Sequence, residues 1–93
     1  MRLTNKEIKI IKTLTLQTFK DAIIYIFGSR IDDNKRGGDI DIGLVVKDKK
    51  NLIYKKLLLK SKLKQKLNKP INLIIIKNNN SLIEKEILKG IKL

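Results

Sequence analysis

Two aspartates one residue apart, Asp39 and Asp41 in the segment GGDIDIGLVV, stand out in a chain with 22 basic and only nine acidic residues. The segment alternates Asp, Ile, Asp, Ile and then turns wholly apolar, as a strand does when its opening lines a polar cleft and its remainder is buried. Residues two apart on a strand point to one face with Cα atoms about 6.5 Å apart, so both carboxylates could converge on one cation. Mg²⁺ suits such a pair, because it is usually held by one or two protein carboxylates plus substrate phosphates. The bland alternative is a strand that begins with two solvated acids. Upstream, Gly28 and Ser29 open the Gly-rich stretch GSRIDDNKRGG. A helical turn starting at Ser29 would aim backbone N–H groups and a hydroxyl at phosphate oxygens. Arg30 and Arg36 in the same stretch are candidate phosphate clamps. An ordinary turn with solvated charges is the alternative for all four residues.

Composition narrows the chemistry further. With no Cys and no His, disulfide scaffolds, thiolate nucleophiles, zinc ribbons and Ser/His/Asp triads are excluded. Carboxylates, amides, hydroxyls, Lys and Arg remain, with a hard, oxygen-loving ion as the metal that fits them. At 93 residues and 10.7 kDa the expectation is one small domain over residues 1–93. The 42% hydrophobic and 33% charged content is that of a folded chain. A formal charge of +13 invites a nucleic-acid reading. Yet all the basic residues except Arg2, Arg30 and Arg36 are lysines spread along the chain. Lys, Ile and Asn share A/T-rich codons, which accounts for much of the basicity, and Arg, the better reader of bases and phosphates, is scarce. The N-terminal MRLTNKEIKI has no apolar signal core, and the runs 22–27 and 71–76 are too short to cross a bilayer, so a cytoplasmic location without membrane association is expected.

The elements that must position these residues follow from pattern. Thr4 and Glu7 form a capping-box pair ahead of a helix over about 5–19. AIIYIF is a buried strand ending at Gly28, and DIDIGLVV a second strand. A long amphipathic helix is predicted from Asn51 to Asn68, with Ile53, Leu57, Leu63 and Leu67 on its apolar stripe. Pro70 ends it, and INLIII is a third strand buried on both faces. Ser81 and Glu84 cap a last helix, with Gly90 where its C-terminal cap would sit. The fold class expected is α/β or α+β, a mixed sheet of three to four strands flanked by helices.

Gly-Ser, nine residues, then Asp-x-Asp, set between two strands, resembles the minimal nucleotidyltransferase domains of the DNA polymerase β superfamily. The resemblance extends to the strand 71–76 and the tail SLIEKEILKGIKL, and so covers nearly the whole chain. It implies that Gly28 and Ser29 contact nucleotide phosphates. It also implies that Asp39 and Asp41 hold Mg²⁺, and that an acceptor hydroxyl attacks the α-phosphate in line, expelling pyrophosphate. Asn72, in KPINLIII, occupies the position where active members carry a third carboxylate; an amide oxygen can ligate a metal but cannot accept the nucleophile's proton. Asp48 lies some 23 Å from Asp41 along a strand and does not replace it; Asp32 and Asp33, on the loop, are nearer substitutes.

Minimal domains of this type lack a substrate-binding domain. In the resembled family the acceptor is often a separately encoded all-helical HEPN protein, an RNase toxin neutralised by transfer of AMP to a tyrosine. The resemblance thus implies an Mg²⁺- and ATP-dependent transferase acting as antitoxin on an adjacently encoded HEPN-type toxin. Two other readings stay open: a non-catalytic protein of the same fold that neutralises or scaffolds its partner by contact, and a small basic nucleic-acid-binding protein using the lysine-rich helix 51–68. Binding that falls steeply with salt and ignores Asp39 and Asp41 would mark the last.

Overall fold

The computed structural model describes residues 3–28, 39–77 and 81–93. Helix α1 (Asn5–Thr18) starts at the expected capping box: the Glu7 amide donates to Thr4 Oγ1 at 3.1 Å, and the Thr4 amide donates to Glu7 Oε1 at 3.0 Å. Strands β1 (Ile23–Phe27), β2 (Ile40–Val45) and β3 (Ile71–Ile76), helices α2 (Leu52–Leu67) and α3 (Leu82–Leu88), and the two-residue β4 (Ile91–Lys92) complete the chain. The sheet order is β3-β2-β1-β4. β1 runs antiparallel to both β2 and β4, while β2 and β3 are parallel. The parallel pair needs a crossover, and α2 supplies it. A mixed sheet flanked by helices is therefore the fold, as the pattern predicts.

Strand alternation sorts the side chains between two layers. Ile24, Ile26, Ile40, Ile42, Leu44, Leu73 and Ile75 face α1 and α2 and close the main core with Ile11, Phe19, Leu59 and Leu63. On the opposite face, Phe27 and Ile76 pack with Ile87 of α3. Gly43 permits that second layer, because a Cβ there would lie 2.1 Å from Ile87 Cγ2.

Two expectations need correction. The stripe of α2 is displaced: Leu59, Leu63 and Leu67 are buried, whereas Ile53 and Leu57 stand 76% and 61% exposed. The buried row steps back from Leu63 and Leu59 by whole turns to Lys55, whose ammonium lies 5.9 Å from the centre of the Phe19 ring; its alkyl stem occupies the place an apolar side chain would take. β3 is not buried on both faces, since Asn72 is exposed and Ile74 half-buried. Gly90 directly follows the C-cap residue Lys89, its amide donates to the Ile87 carbonyl at 2.9 Å, and the chain continues into β4 against β1.

Two stability predictions arise here. Among the described residues, Thr15 Oγ1 is buried without a hydrogen-bond partner. A stranded buried hydroxyl costs about 1–3 kcal/mol, and valine has the same shape and a similar helix propensity. Thr15→Val should therefore raise the unfolding free energy by about 1 kcal/mol, read as a higher urea midpoint at unchanged slope.

The second concerns Glu7, which ties α1 to the α2–β3 junction through Lys69 Nζ at 2.8 Å. Burial opposes ionisation of Glu7. The Lys69 hydrogen bond, the Thr4 backbone hydrogen bond and the Lys69 charge outweigh it and hold the carboxyl below its ordinary value of 4.5. A depressed carboxyl stabilises the fold above its unfolded pKa and ceases to do so as pH falls through the folded one. Lys69→Met should lower stability at pH 7 and remove part of the loss that wild type shows on acidification below about pH 4.5, as followed by urea titrations at stepped pH.

Candidate active site

Ladder pairing dictates which functional side chains meet. β2 pairs Asp41 with Phe27 on one side and with Asn72 on the other, so the end of β1 and the starts of β2 and β3 lie in one row. Ile40 and Ile42 are fully buried in the main core, and alternation therefore turns Asp41 to the α3 face. Asn72, between buried Ile71 and Leu73, turns to the same face. The amide and the carboxylate meet: Asn72 Nδ2 donates to Asp41 Oδ1 at 3.1 Å.

Gly28 closes the other side. Its φ of 72° lies in the left-handed region that favours glycine. A Cβ at this position would lie 2.2 Å from Asp41 Oδ2, so the absent side chain is what lets the carboxylate sit against the backbone. One carboxylate oxygen thus faces the glycine and the other receives the amide. Asp41 is half-buried and Asn72 exposed, so the group opens at the rim of the sheet.

The structure brings together Gly28, Asp41 and Asn72. Asp39 is exposed and precedes the first residue of β2, so the sheet's alternation governs Asp41 but not Asp39, contrary to the expectation of two strand carboxylates. Ser29, Arg30 and Arg36, with Asp32 and Asp33, lie outside the described residues. The Asn72–Asp41 hydrogen bond was not foreseen. The family resemblance already places Asn72 with the aspartates, at the third-carboxylate position; the residues' own signal is that both stand second in apolar runs joined by a crossover helix, which parallel pairing can place side by side.

The donors are all oxygen or amide groups. Among the described residues no group of three carboxylates that could hold a metal is found. Asn72 adds a neutral carbonyl oxygen, because only its NH₂ is committed to Asp41. A recess of about 290 Å³ touching Phe19, Val46 and Lys55 lies past the far end of β2 and takes no part in this group.

The family model for "Polymerase beta, Nucleotidyltransferase" matches residues 8–93. The chain belongs to the polymerase beta nucleotidyltransferase family. A crystal structure described as a mutant of the toxin–antitoxin MntA–HpeT, with two aspartates replaced by glutamate, superposes with a TM-score of 0.71 at 24% identity. The match covers 90% of this chain and 67% of that one, and it shows the nucleotidyltransferase fold. Comparison with curated proteins finds no match. Among the described residues no helix is long and apolar enough to cross a membrane.

Proposed function

We propose that this nucleotidyltransferase transfers AMP from ATP to a hydroxyl of a partner protein, and that it acts as antitoxin toward a HEPN-type RNase toxin encoded beside it. The observation that carries the reading is the closure of Gly28 on the Asp41 carboxylate. It makes a corner where backbone without a side chain, the feature that lets phosphates approach closely, adjoins an oxygen ligand. The structural neighbour's description as part of a toxin–antitoxin pair supports the biological half of the proposal.

In this reading Asp41 and Asp39 hold Mg²⁺, which when bound supplies positive charge against the triphosphate. Gly28 and Ser29 receive phosphate oxygens, with Arg30 and Arg36 as additional clamps. The acceptor oxygen forms a bond to the α-phosphorus as the bond from that phosphorus to its bridging oxygen breaks, and pyrophosphate leaves. The hydroxyl proton departs to water, because the Asn72 amide has no basic site. What Asn72 does is hold Asp41 in one orientation through a hydrogen bond to Oδ1.

The test is to incubate the full chain with α-labelled ATP, Mg²⁺ and the purified product of the adjacent reading frame. Label is expected on the partner, and chelation of the metal with excess EDTA is expected to remove it; no label with any of the four nucleoside triphosphates would end the transferase reading. Asn72 favours a second reading, a protein that retains the corner and neutralises its partner by contact. That reading expects toxin inhibition without label, and label appearing only in Asn72→Asp.

A further inference from the structure

We infer that the outward side of the first two turns of α2 is a docking surface for a protein whose contact face is apolar at its centre and acidic at its rim. The inference rests on the partner-protein reading above and assigns that partner a place. Ile53, Tyr54 and Leu57 are 76%, 68% and 61% exposed, and Leu58 adjoins them at 36%. At positions i, i+1, i+4 and i+5 they share one side of the helix, opposite Leu59 and Leu63, which the core buries completely. Single exposed apolar residues are ordinary on a protein surface; four side by side, one an aromatic ring with a polar tip, mark a surface that another molecule covers.

Charge selects the occupant. Exposed Lys60 and Lys64, at i+3 and i+7 from Leu57, continue this side of the helix, and α2 carries six lysines and no acid. A second copy docked face to face would oppose two such lysine sets on chains of +13 each, a like-charge juxtaposition that suppresses pairing. An acidic rim around an apolar centre satisfies both parts of the surface.

Position gives the surface a second property. The first turns of α2 lie past the end of β2, where Lys55 shares a recess with Val46 and Phe19, whereas Asp41 stands at the opening of β2. A partner seated on Ile53 and Leu57 must therefore extend along the sheet to bring its acceptor hydroxyl to Asp41. Docking and transfer use opposite ends of the sheet.

The experiment co-expresses the full chain with the product of the adjacent reading frame and measures complex mass by light scattering and affinity by titration. Ile53→Glu/Leu57→Glu is expected to weaken the complex about thirtyfold or more, the scale of an interface hot spot, with an unchanged melting temperature. Lys60→Glu/Lys64→Glu should weaken it less and flatten its salt dependence. Asp41→Ala should leave the complex intact. A wild-type complex that transfers no label sinks the transferase reading and leaves the docking surface standing. Four results overturn the surface: no wild-type complex, a complex indifferent to Ile53→Glu/Leu57→Glu, a dimer of the chain by itself that this variant disperses, or binding to phosphatidylglycerol vesicles that this variant abolishes.

Discussion

Asp41→Ala is expected to reduce label transfer at least about a hundredfold, since loss of even an outer-shell partner of a metal ligand costs 10 to 100-fold and Asp41 is placed as a ligand itself. The cost to the fold should be small. Asp41 is half-buried at the rim, and the partner it strands, Asn72, is exposed and can turn to water. Kinetics and melting temperature should therefore separate. Asn72→Ala is the graded companion: it removes the 3.1 Å hydrogen bond to Asp41 and keeps the carboxylate, so a loss of about ten to a hundredfold is expected. Gly28→Ala should act on the same group by another route, because the methyl must push the carboxylate away and the left-handed backbone disfavours any side chain. If transfer in Asp41→Ala equals that of wild type, the corner is not where the reaction occurs.

The largest effect on stability is expected from Gly43→Ala. Gly43 sits in the middle of β2, and the added methyl would meet Ile87 Cγ2 at 2.1 Å. Ile87 is fully buried and has no room to retreat without lifting α3 from the sheet. Overpacking of this kind costs about 1–3 kcal/mol. For a domain of this size each kcal/mol moves the melting temperature by about 4–8 °C, so a fall of about 4–24 °C is anticipated by calorimetry. Gly43→Ala combined with Ile87→Ala should cost less than the sum of the separate changes, because the second substitution removes the Cγ2 that the added methyl meets. Strict additivity would show that the contact is not the cause.

Much of this organisation was legible in the residues. The apolar runs 23–27, 40–45 and 71–76 are short, β-branched and bounded by turn residues, and each is a strand. Both capping boxes are present where Thr4 with Glu7 and Ser81 with Glu84 announced them. Other features were out of reach. A strand of two residues, Ile91–Lys92, has no period to detect, and β4 exists only because β1 offers it an edge. The buried side of α2 is ambiguous in the sequence because residues 52–54 and 57–59 are apolar around most of the helix, so periodicity supports more than one face. What decided between them was the packing of Leu59 and Leu63 under the sheet, a long-range fact. At the candidate site, the spacing of Asp39 and Asp41 was readable, but not that ladder pairing starts at Ile40. The meeting of Asn72 with Asp41 depends on register across a crossover, which no local pattern carries.

The placement of the corner on β2 has a further consequence. β2 is bonded on both sides, to β1 and to β3, and its inward residues Ile40, Ile42 and Leu44 are completely enclosed. Amide protons of such an inner strand exchange with solvent only when the whole molecule opens, unlike those of frayed ends. The Asp41 carboxylate therefore persists as long as the molecule itself does, and gentle warming should leave it in place until the final cooperative melt.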